Sequence, residues 1–357
     1  MIKYIGSKRV LLPIILETIQ NLPDVHRVLD LFSGTARVGH ALKNAGYDVT
    51  ANDHNAFAHI LARCYVQSDR DRVGREAEKL IRELSTVRRR AGYFTQTFCE
   101  RSRFFHPKNG ARIDAIREAI ARKSLDPDVE AVLLTSLMEA ADRVDSTTGV
   151  QMAYLKTWAP RAMNDLELRM PKVLPGPGMA MRSDAIEAAC DLTADLAYLD
   201  PPYNQHSYMG NYHIWESLVR WDKPEVYGIA CKRVDVRQRQ SIFNSRPQFA
   251  GAMRRLLSAV RAPLLIVSFN NEGYLARAEM ESMLTALWEG EAKVTTIEND
   301  FKRYVGAQIG IYNPQGEKVG KVSHLANKEY IYVVSREDMS TQLAPMKRVG
   351  AAQLPLF

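Results

Sequence analysis

The sequence predicts an α/β protein built on a doubly wound, mostly parallel sheet. Three observations predict this fold. A strand, a glycine turn, a helix and a second strand follow one another between Val28 and Asp53. Strand-like apolar runs return only from Leu196 onward, and a helix-rich block lies between the two strand regions. Strands connected through helices pair in parallel, because the helical crossover returns the chain to the starting edge of the sheet.

The first βαβ unit is the clearest element. Val28–Phe32 is a short apolar strand, and Ser33-Gly34-Thr35 forms a turn. Ala36–Ala45 has the apolar spacing of an amphipathic helix, and Tyr47–Ala51 is the second strand. We expect the turn and the end of the second strand to meet at the carboxyl edge of the sheet, where open α/β folds bind ligands.

The middle of the chain is helical and basic. Arg72–Arg90, Arg112–Arg122 and Asp128–Val144 each have helical apolar spacing. Between Arg63 and Lys123 the chain carries 16 Lys and Arg against 8 Asp and Glu, a net charge of +8, whereas the whole chain carries +7. Charge concentrated in this way is typical of a surface that contacts phosphates, although a single arginine is more often simply solvated.

The last third of the chain returns to the sheet. Further strands are predicted at Leu196–Leu199, Pro263–Phe269 and Tyr330–Val334. Asn313-Pro314-Gln315-Gly316 is a turn signal between the strand-like runs Ala307–Tyr312 and Glu317–Val322. These runs predict an antiparallel hairpin that closes the sheet.

The same pattern predicts the domain organisation. Residues 1–60 and 180–338 should form one discontinuous domain that carries the sheet. Residues 61–179 should form an inserted, mostly helical region, whose exit is marked by prolines and glycines between Pro171 and Gly178. Residues 339–357 form a tail.

Composition excludes several classes of protein. Of 357 residues 46% are apolar and 25% charged, as in ordinary globular proteins, and there is no apolar run of about 18 residues that would predict a membrane span. Residues 1–4 become polar too early for a signal peptide, which favours the cytoplasm. Neither the cysteines nor the histidines stand at metal-ligand spacings, so no metal site and no disulfide framework is expected.

The first chemical motif is DLFSGTARVG, from Asp30 to Gly39. A tight turn at Gly34 allows a cofactor to approach the backbone closely. A dinucleotide site would need GxGxxG to seat a pyrophosphate, and this segment has Ser33 before Gly34. Asp30 suits an ammonium group instead, and Asp53 at the end of the second strand suits ribose hydroxyls. A glycine turn of some other α/β fold is the alternative.

The second motif, Asp200-Pro201-Pro202-Tyr203, follows the strand Leu196–Leu199. An exocyclic amino group is a poor nucleophile because its lone pair is delocalised into the ring. Hydrogen bonds from its N–H groups to the Asp200 carboxylate and the Pro201 carbonyl would make the nitrogen more pyramidal, while Tyr203 stacks on a base taken out of the helix. A proline-rich strand end without catalytic meaning is the alternative.

Aromatic and amide side chains follow this motif and suit contact with DNA around an extruded base. We expect DNA contacts from Asn204, His206, Tyr208, Asn211 and Tyr212. Phosphate contacts are expected from Arg88, Arg89, Arg90, Arg101 and Arg103. The alternative for the aromatic run is a surface loop that leads into a packed helix.

The order of the motifs resembles a known family. An N-terminal Lys3-Tyr4-Ile5-Gly6-Ser7-Lys8, the DLFSGT turn, an inserted region and then DPPY occur in the Dam-like (alpha-group) adenine-N6 DNA methyltransferases. The stretches Asn109–Asp114, Asn204–Trp215 and Ser268–Gly273 resemble one branch of that family. The resemblance extends over nearly the whole chain. One departure is Thr35-Ala36-Arg37, which stands where a second glycine is common.

The resemblance implies a Rossmann-like sheet that binds S-adenosylmethionine. It implies that the cofactor pocket is closed by Tyr4, Gly6 and Lys8 and lined by Asp30, Phe32, Ser33, Gly34 and Asp53. Asp184 matches the position that contacts the adenine amino group of the cofactor, but a helix N-cap would explain this residue equally well.

These interpretations predict a site-specific enzyme that transfers the methyl group of S-adenosylmethionine to adenine N6 in double-stranded DNA. Transfer should be a single in-line displacement, without a metal or a covalent enzyme intermediate. Cytosine N4 is the nearest alternative, because the DPPY chemistry is the same. An inactive DNA-binding protein on the same fold and a methyltransferase acting on RNA or a protein amide are further alternatives. A cognate restriction endonuclease would fit the predicted role, whereas the recognition sequence and the oligomeric state cannot be read from the residues.

Overall fold

A computed structural model describes residues 1–205, 207–302 and 326–344 of the chain. Its strands are β1 (Arg27–Asp30), β2 (Asp48–Asn52), β3 (Met179–Met181), β4 (Leu196–Leu199), β5 (Val226–Tyr227), β6 (Lys232–Arg233), β7 (Leu264–Asn270), β8 (Lys293–Lys302) and β9 (Ala326–Ser335). Its α-helices are α1 (Leu12–Gln20), α2 (Arg37–Asn44), α3 (Ala56–Ala62), α4 (Arg70–Ser85), α5 (Tyr93–Thr95), α6 (Pro107–Ala121), α7 (Pro127–Arg143), α8 (Ala185–Asp191), α9 (Tyr208–Asn211), α10 (His213–Arg220), α11 (Arg246–Ala259) and α12 (Arg277–Thr285).

Seven of these strands form one sheet in the order β3-β2-β1-β4-β7-β9-β8. The pairs among β3, β2, β1, β4 and β7 are parallel, whereas β9 runs antiparallel to both β7 and β8. The predicted α/β class, with a mostly parallel sheet and an antiparallel end, is therefore confirmed. The strand order reverses between β1 and β4, so their carboxyl ends flank the crevice in which such sheets bind ligands.

Alternate residues of each central strand face opposite sides of the sheet. Val28 of β1 and Tyr198 of β4 belong to an apolar cluster that also contains residues of α1, α2, α3 and α7. Their neighbours Leu29 and Leu199 belong to a second cluster, formed with α8, α11 and α12. The sheet is therefore covered by helices on both faces, which leaves its carboxyl edge as the place where polar groups gather.

The predicted helices of the middle block occur as α4, α6 and α7, with ends shifted by a few residues. Their apolar side chains, among them Ile113 and Val132, lie in the same cluster as Val28 and Val49 of the sheet. The helical block therefore packs directly on one face of the sheet. The expected boundaries after residues 60 and 179 fall inside α3 and β3 respectively.

The antiparallel end of the sheet is formed by β8 and β9. The expected turn at Asn313–Gly316 and its flanking runs Ala307–Tyr312 and Glu317–Val322 lie outside the described residues. Strand β8 was not predicted, because its apolar residues Val294, Ile297 and Phe301 do not alternate with polar ones, and the short β3 has too few residues for a pattern. In the part of the chain that the structure describes, no helix is both long and apolar enough to cross a membrane.

Candidate active site

A deep cleft opens at the carboxyl edge of the sheet, beside the ends of β1, β2 and β4. It encloses about 1160 Å³, part of which is open to solvent. The predicted residues that line it are Tyr4, Gly6, Lys8, Asp30, Phe32, Ser33, Gly34, Asp53, Asp184, Asp200, Pro202 and Tyr208. All residues expected to bind the cofactor therefore lie together with Asp200, although they come from distant parts of the chain.

The glycine turn is held by Asp53. The backbone N–H of Gly34 donates to Asp53 Oδ2 at 2.9 Å, and the N–H of Asn55 donates to Oδ1 at 2.9 Å. Gly34 has φ +54°, and a Cβ added there would lie 3.3 Å from the ring of Tyr4. Ala36 also has a left-handed backbone, with φ +58°. This conformation favours glycine, which gives a physical reason why a second glycine is common at this turn.

Asp30 is a buried carboxylate without a cationic partner among the described residues. It is 1% exposed, and neither of its oxygens has a hydrogen-bond partner of good geometry among the described residues. Burial raises the pKa of Asp30 to about 7, and the negative charges of Asp200 and Asp53 act in the same direction. A cationic group entering the cleft would therefore be stabilised here.

Arg37 supplies the complementary charge. It is the first residue of α2, it lines the same cleft, and its Nε is buried without a hydrogen bond in the described part of the chain. Its pKa is lowered, mainly by burial and also by Arg9. The cleft thus contains an unsatisfied carboxylate and an unsatisfied guanidinium nitrogen, a pair that suits a zwitterionic ligand. Sequence reasoning did not single out Arg37, because an arginine at the start of a helix is usually solvated.

Asp184 is a helix N-cap, which was one of its two expected roles, and its position in the cleft leaves contact with the cofactor as a prediction. It is the N-cap of α8, where its Oδ1 accepts the backbone N–H of Ile186 at 2.9 Å. It also lines the cleft and is exposed to it. The cap uses one carboxylate oxygen of Asp184 and fixes the orientation of the side chain, so the second oxygen can accept a hydrogen bond from a ligand.

Asp200 lies directly after β4 and is paired with Lys8. The Lys8 Nζ lies 3.0 Å from Asp200 Oδ1, and the Lys8 side chain is 7% exposed. Burial raises the pKa of Asp200, while the charge of Lys8 opposes this effect. The same Nζ lies 5.8 Å from the centre of the Tyr203 ring. The sequence did not predict that Lys8 would contact Asp200.

Tyr203 does not line the cleft in this conformation. It is 9% exposed and packs edge-on against Phe269, with ring centres 5.4 Å apart. Its carbonyl accepts the backbone N–H of Tyr274 at 3.1 Å. Pro201 is buried, whereas Pro202 lines the cleft. Phe269 and Tyr274 therefore hold Tyr203 in place, and one face of the Tyr203 ring is turned toward Lys8.

Three stacked tyrosines join the N-terminal segment to α9. The ring of Tyr4 lies 5.0 Å from that of Tyr208 and 4.6 Å from that of Tyr212, nearly parallel to both. The Tyr212 hydroxyl accepts the backbone N–H of Ile5 at 2.6 Å. Tyr212 is 1% exposed and the neighbouring Asn211 is 5% exposed. Both are buried in this packing, which an aromatic-rich sequence does not reveal, and their contact with DNA stays a prediction.

The remaining described residues that are expected to contact DNA lie outside the cleft lining. Arg88, Arg89, Arg90 and Arg101 are exposed. Arg89 pairs with Asp165 at 3.1 Å, and the Arg103 guanidinium lies 4.6 Å from the ring of Trp158. The carbonyl of Asn204 accepts the side-chain N–H of Asn244 at 2.7 Å. His206 lies outside the described residues.

Sequence reasoning also missed the segment from Arg239 to Asn244, which lines the same cleft as Asp53. Phe243 packs edge-on against Phe32 with ring centres 5.3 Å apart. Arg239 is held by the fully buried Glu216 at 3.1 Å. The segment follows the small β5–β6 hairpin and has no motif, so only the fold could place it beside the cofactor turn.

Comparison with known proteins adds to this geometry. A family model for D12 class N6 adenine-specific DNA methyltransferases matches residues 4–257. The chain belongs to this family. The matched residues include the glycine turn, the helical block and the Asp200–Tyr203 motif, so the expected relationship to adenine-N6 DNA methyltransferases is confirmed at this level.

The chain is similar to proteins that are named as Type II methyltransferases or modification methylases. The Type II methyltransferase M.FokI of Planomicrobium okeanokoites is 31% identical over 79% of the chain and 46% of the relative. Modification methylase StsI of Streptococcus sanguinis is 29% identical, with the same coverage. The Type II methyltransferase M.NlaIII of Neisseria lactamica is 26% identical over 86% of the chain and 90% of the relative. The chain therefore spans about half the length of the first two relatives and most of the third.

Proposed function

We propose that this D12-class chain transfers a methyl group from S-adenosylmethionine to adenine N6 at a specific site in double-stranded DNA. The observation that carries the proposal is the position of Asp200, which lies in the same cleft as the unpaired Asp30 carboxylate. One group suits the amino nitrogen of a base and the other suits the ammonium of the methyl donor. Family membership supports adenine over cytosine N4 as the target.

The residues of the cleft fit S-adenosylmethionine. We assign the methionine ammonium to Asp30 and its carboxylate to Arg37, because both side chains have buried polar atoms that form no hydrogen bond with any described residue. We assign the ribose hydroxyls to Asp53 and the adenine amino group to Asp184. When bound, the cofactor supplies a methyl group on a positively charged sulfur, so no strong base is needed before transfer.

The chain's own groups bind and orient the base. Asp200 and the Pro201 carbonyl accept the two N–H bonds of the amino group and direct its lone pair, and Tyr203 offers a ring face for stacking. Most of the rate then comes from holding two reactants in line within one cleft. Because the Lys8 ammonium lies 3.0 Å from Asp200, it moves away from this carboxylate when the base binds.

Residues 61–179 are the proposed DNA-recognition region, with the exposed arginines Arg88, Arg89, Arg90 and Arg101 contacting phosphates. We assign the chain to the Dam-like subgroup because of its motif order. Relatives named as Type II methyltransferases support a restriction-modification role with a cognate endonuclease. Such an enzyme would work in the cytoplasm, where the DNA is.

Single-molecule sequencing of DNA from bacteria that express the chain tests the proposal. We expect methylated adenine at one short sequence, absent from cells without the chain. Digestion of the same DNA to nucleosides identifies the modified base by mass, and N4-methylcytosine would establish the cytosine alternative. Unmodified DNA, together with no transfer of radiolabelled methyl to DNA, RNA or protein by the purified chain, would favour an inactive DNA-binding protein.

A further inference from the structure

Lys8 has two carboxylate partners in one buried cluster. Its Nζ lies 3.0 Å from Asp200 Oδ1 and 3.7 Å from Glu329 Oε2. The Asp200 side chain is 18% exposed and that of Glu329 is 10% exposed. Two carboxylates therefore share one ammonium, and the proposed function uses only Asp200. Glu329 belongs to no motif that the sequence analysis singled out.

The two partners of this cluster come from different kinds of structure. Glu329 lies in β9, which is hydrogen-bonded to β7 on one side and β8 on the other, so its backbone is fixed. Lys8 lies in a segment of turns before α1, and its long stem allows the ammonium to move between nearby acceptors. Glu329 Oε2 is buried and has no hydrogen bond to any described residue, so it has capacity for a donor.

Binding of the base creates a competition for Asp200. The Lys8 Nζ lies beside the carboxylate that the amino group needs, on the side of the Tyr203 ring. An amino group entering there displaces the ammonium from Asp200. A buried ammonium left without a partner is strongly unfavourable, and a second carboxylate within reach prevents that state.

We infer that Glu329 is the alternative partner of Lys8 and receives its ammonium when the extruded base takes Asp200. Glu329 is then a positioning residue, because it acts through Lys8 without touching the substrate. The exchange moves one ion pair, transfers no proton and breaks no covalent bond. The inference rests on the proposed function, since only a base bound at Asp200 creates the competition.

The experiment measures docking of the base apart from turnover. A DNA duplex contains the site identified by sequencing, with the target adenine intact and 2-aminopurine as the base next to it in the same strand, and S-adenosylhomocysteine replaces the methyl donor. The fluorescence rise on extrusion gives the fraction docked. Glu329→Gln should weaken docking about tenfold or more. Binding of S-adenosylhomocysteine alone should change less than about twofold.

A second background separates the exchange from a purely structural role. With Lys8→Met there is no ammonium to receive, so adding Glu329→Gln should change docking less than about twofold. Glu298→Gln is the matched control, because it removes an exposed carboxylate of the neighbouring strand, paired with Lys328. Equal losses in both backgrounds, or normal docking by Glu329→Gln alone, would overturn the exchange.

Two further variants keep the result interpretable. Glu329→Asp retains the charge with a shorter reach, so it should fold even where Glu329→Gln does not, and its docking should be weaker than that of the unaltered chain. Normal docking by this variant would count against the exchange. Failure of the proposed function looks different: Asp200→Ala would then keep full methylation. If Asp200→Ala abolishes transfer while Glu329→Gln docks the base normally, only the exchange is wrong.

Discussion

The two sides of the cleft are built in different ways. The proposed cofactor side consists of Asp30, Gly34 and Asp53, which belong to a single βαβ unit; β1 and β2 pair along their length, and Asp53 accepts the N–H of Gly34. The base side consists of Lys8, Asp200 and Glu329, which come from near the start, the middle and near the end of the sequence. The first side is a product of local chain geometry, whereas the second exists only once the sheet has its final strand order.

The largest expected effect lies on the base side. Asp200→Ala should lower the methylation rate by a factor of about 10²–10³ or more, because the amino group loses the acceptor that orients its lone pair. Binding of S-adenosylhomocysteine, measured by calorimetry, should remain within a few fold. The matched control is Asp195→Ala. Asp195 precedes the first residue of β4, and this substitution removes its ion pair with Arg27. Full methylation by Asp200→Ala would refute its assigned role.

On the cofactor side, Asp30 should make binding depend on pH. The ammonium is attracted only by the ionised carboxylate, and burial raises the pKa of Asp30 to about 7. Affinity for S-adenosylhomocysteine should therefore be full above pH 7 and fall as the pH decreases below it, by up to about tenfold per unit. Asp30→Asn should bind weakly at every pH.

The control for Asp30 is a ligand without the amino acid part. 5′-Deoxy-5′-methylthioadenosine should bind the unaltered chain and Asp30→Asn equally, at pH 6 and pH 8. Because the folded-state pKa lies above the ordinary value, the ionised group destabilises the free protein most above pH 7. Asp30→Asn should therefore melt at a higher temperature at pH 8, with a smaller gain at pH 5. A pH-independent affinity of the unaltered chain would contradict the assignment.

A smaller effect is expected from Arg37. Arg37→Ala should weaken binding of S-adenosylhomocysteine about tenfold, because the ligand carboxylate loses a charged hydrogen bond. Arg37→Lys should restore part of the affinity, and methylthioadenosine should not distinguish the variants. Arg27→Ala, at the opposite end of β1, is the matched control. Equal loss for both ligands would mean that Arg37 shapes the pocket without binding the carboxylate.

The smallest effect should come from a change in the stack of Tyr4, Tyr208 and Tyr212. Tyr212→Phe removes the hydroxyl that accepts the Ile5 N–H and keeps the ring stack. The free energy of unfolding should fall by about 1 kcal/mol, with little change in cofactor affinity. Chemical denaturation measures the change, and Tyr227→Phe on the β5–β6 hairpin serves as control. A loss of activity larger than the loss of stability would show that the hydroxyl has a catalytic role.

The sequence predicted the cofactor side better than the base side, for a physical reason. Asp30, Gly34 and Asp53 follow from periodicity and turn chemistry within one unit, and all of them line the cleft. The motif at Asp200 could also be recognised from the sequence. The pairing of Asp200 with Lys8 was not, because it depends on which strands become neighbours.

The sequence also did not show which aromatic side chains are buried. Tyr208 and Tyr212 stand four positions apart in one aromatic run, yet the former lines the cleft and the latter is enclosed beneath Tyr4. The segment from Arg239 to Asn244 carries no motif and reaches the cleft only through tertiary packing. Such contacts between remote residues require the assembled fold.

Strand β9 is inserted between β7 and β8, although both precede it in the chain. β9 is also synthesised later than both of its neighbours, so the antiparallel end of the sheet cannot be completed before this strand has left the ribosome. Because Glu329 belongs to β9, the local turn at Gly34 can form well before Lys8 has its second carboxylate neighbour.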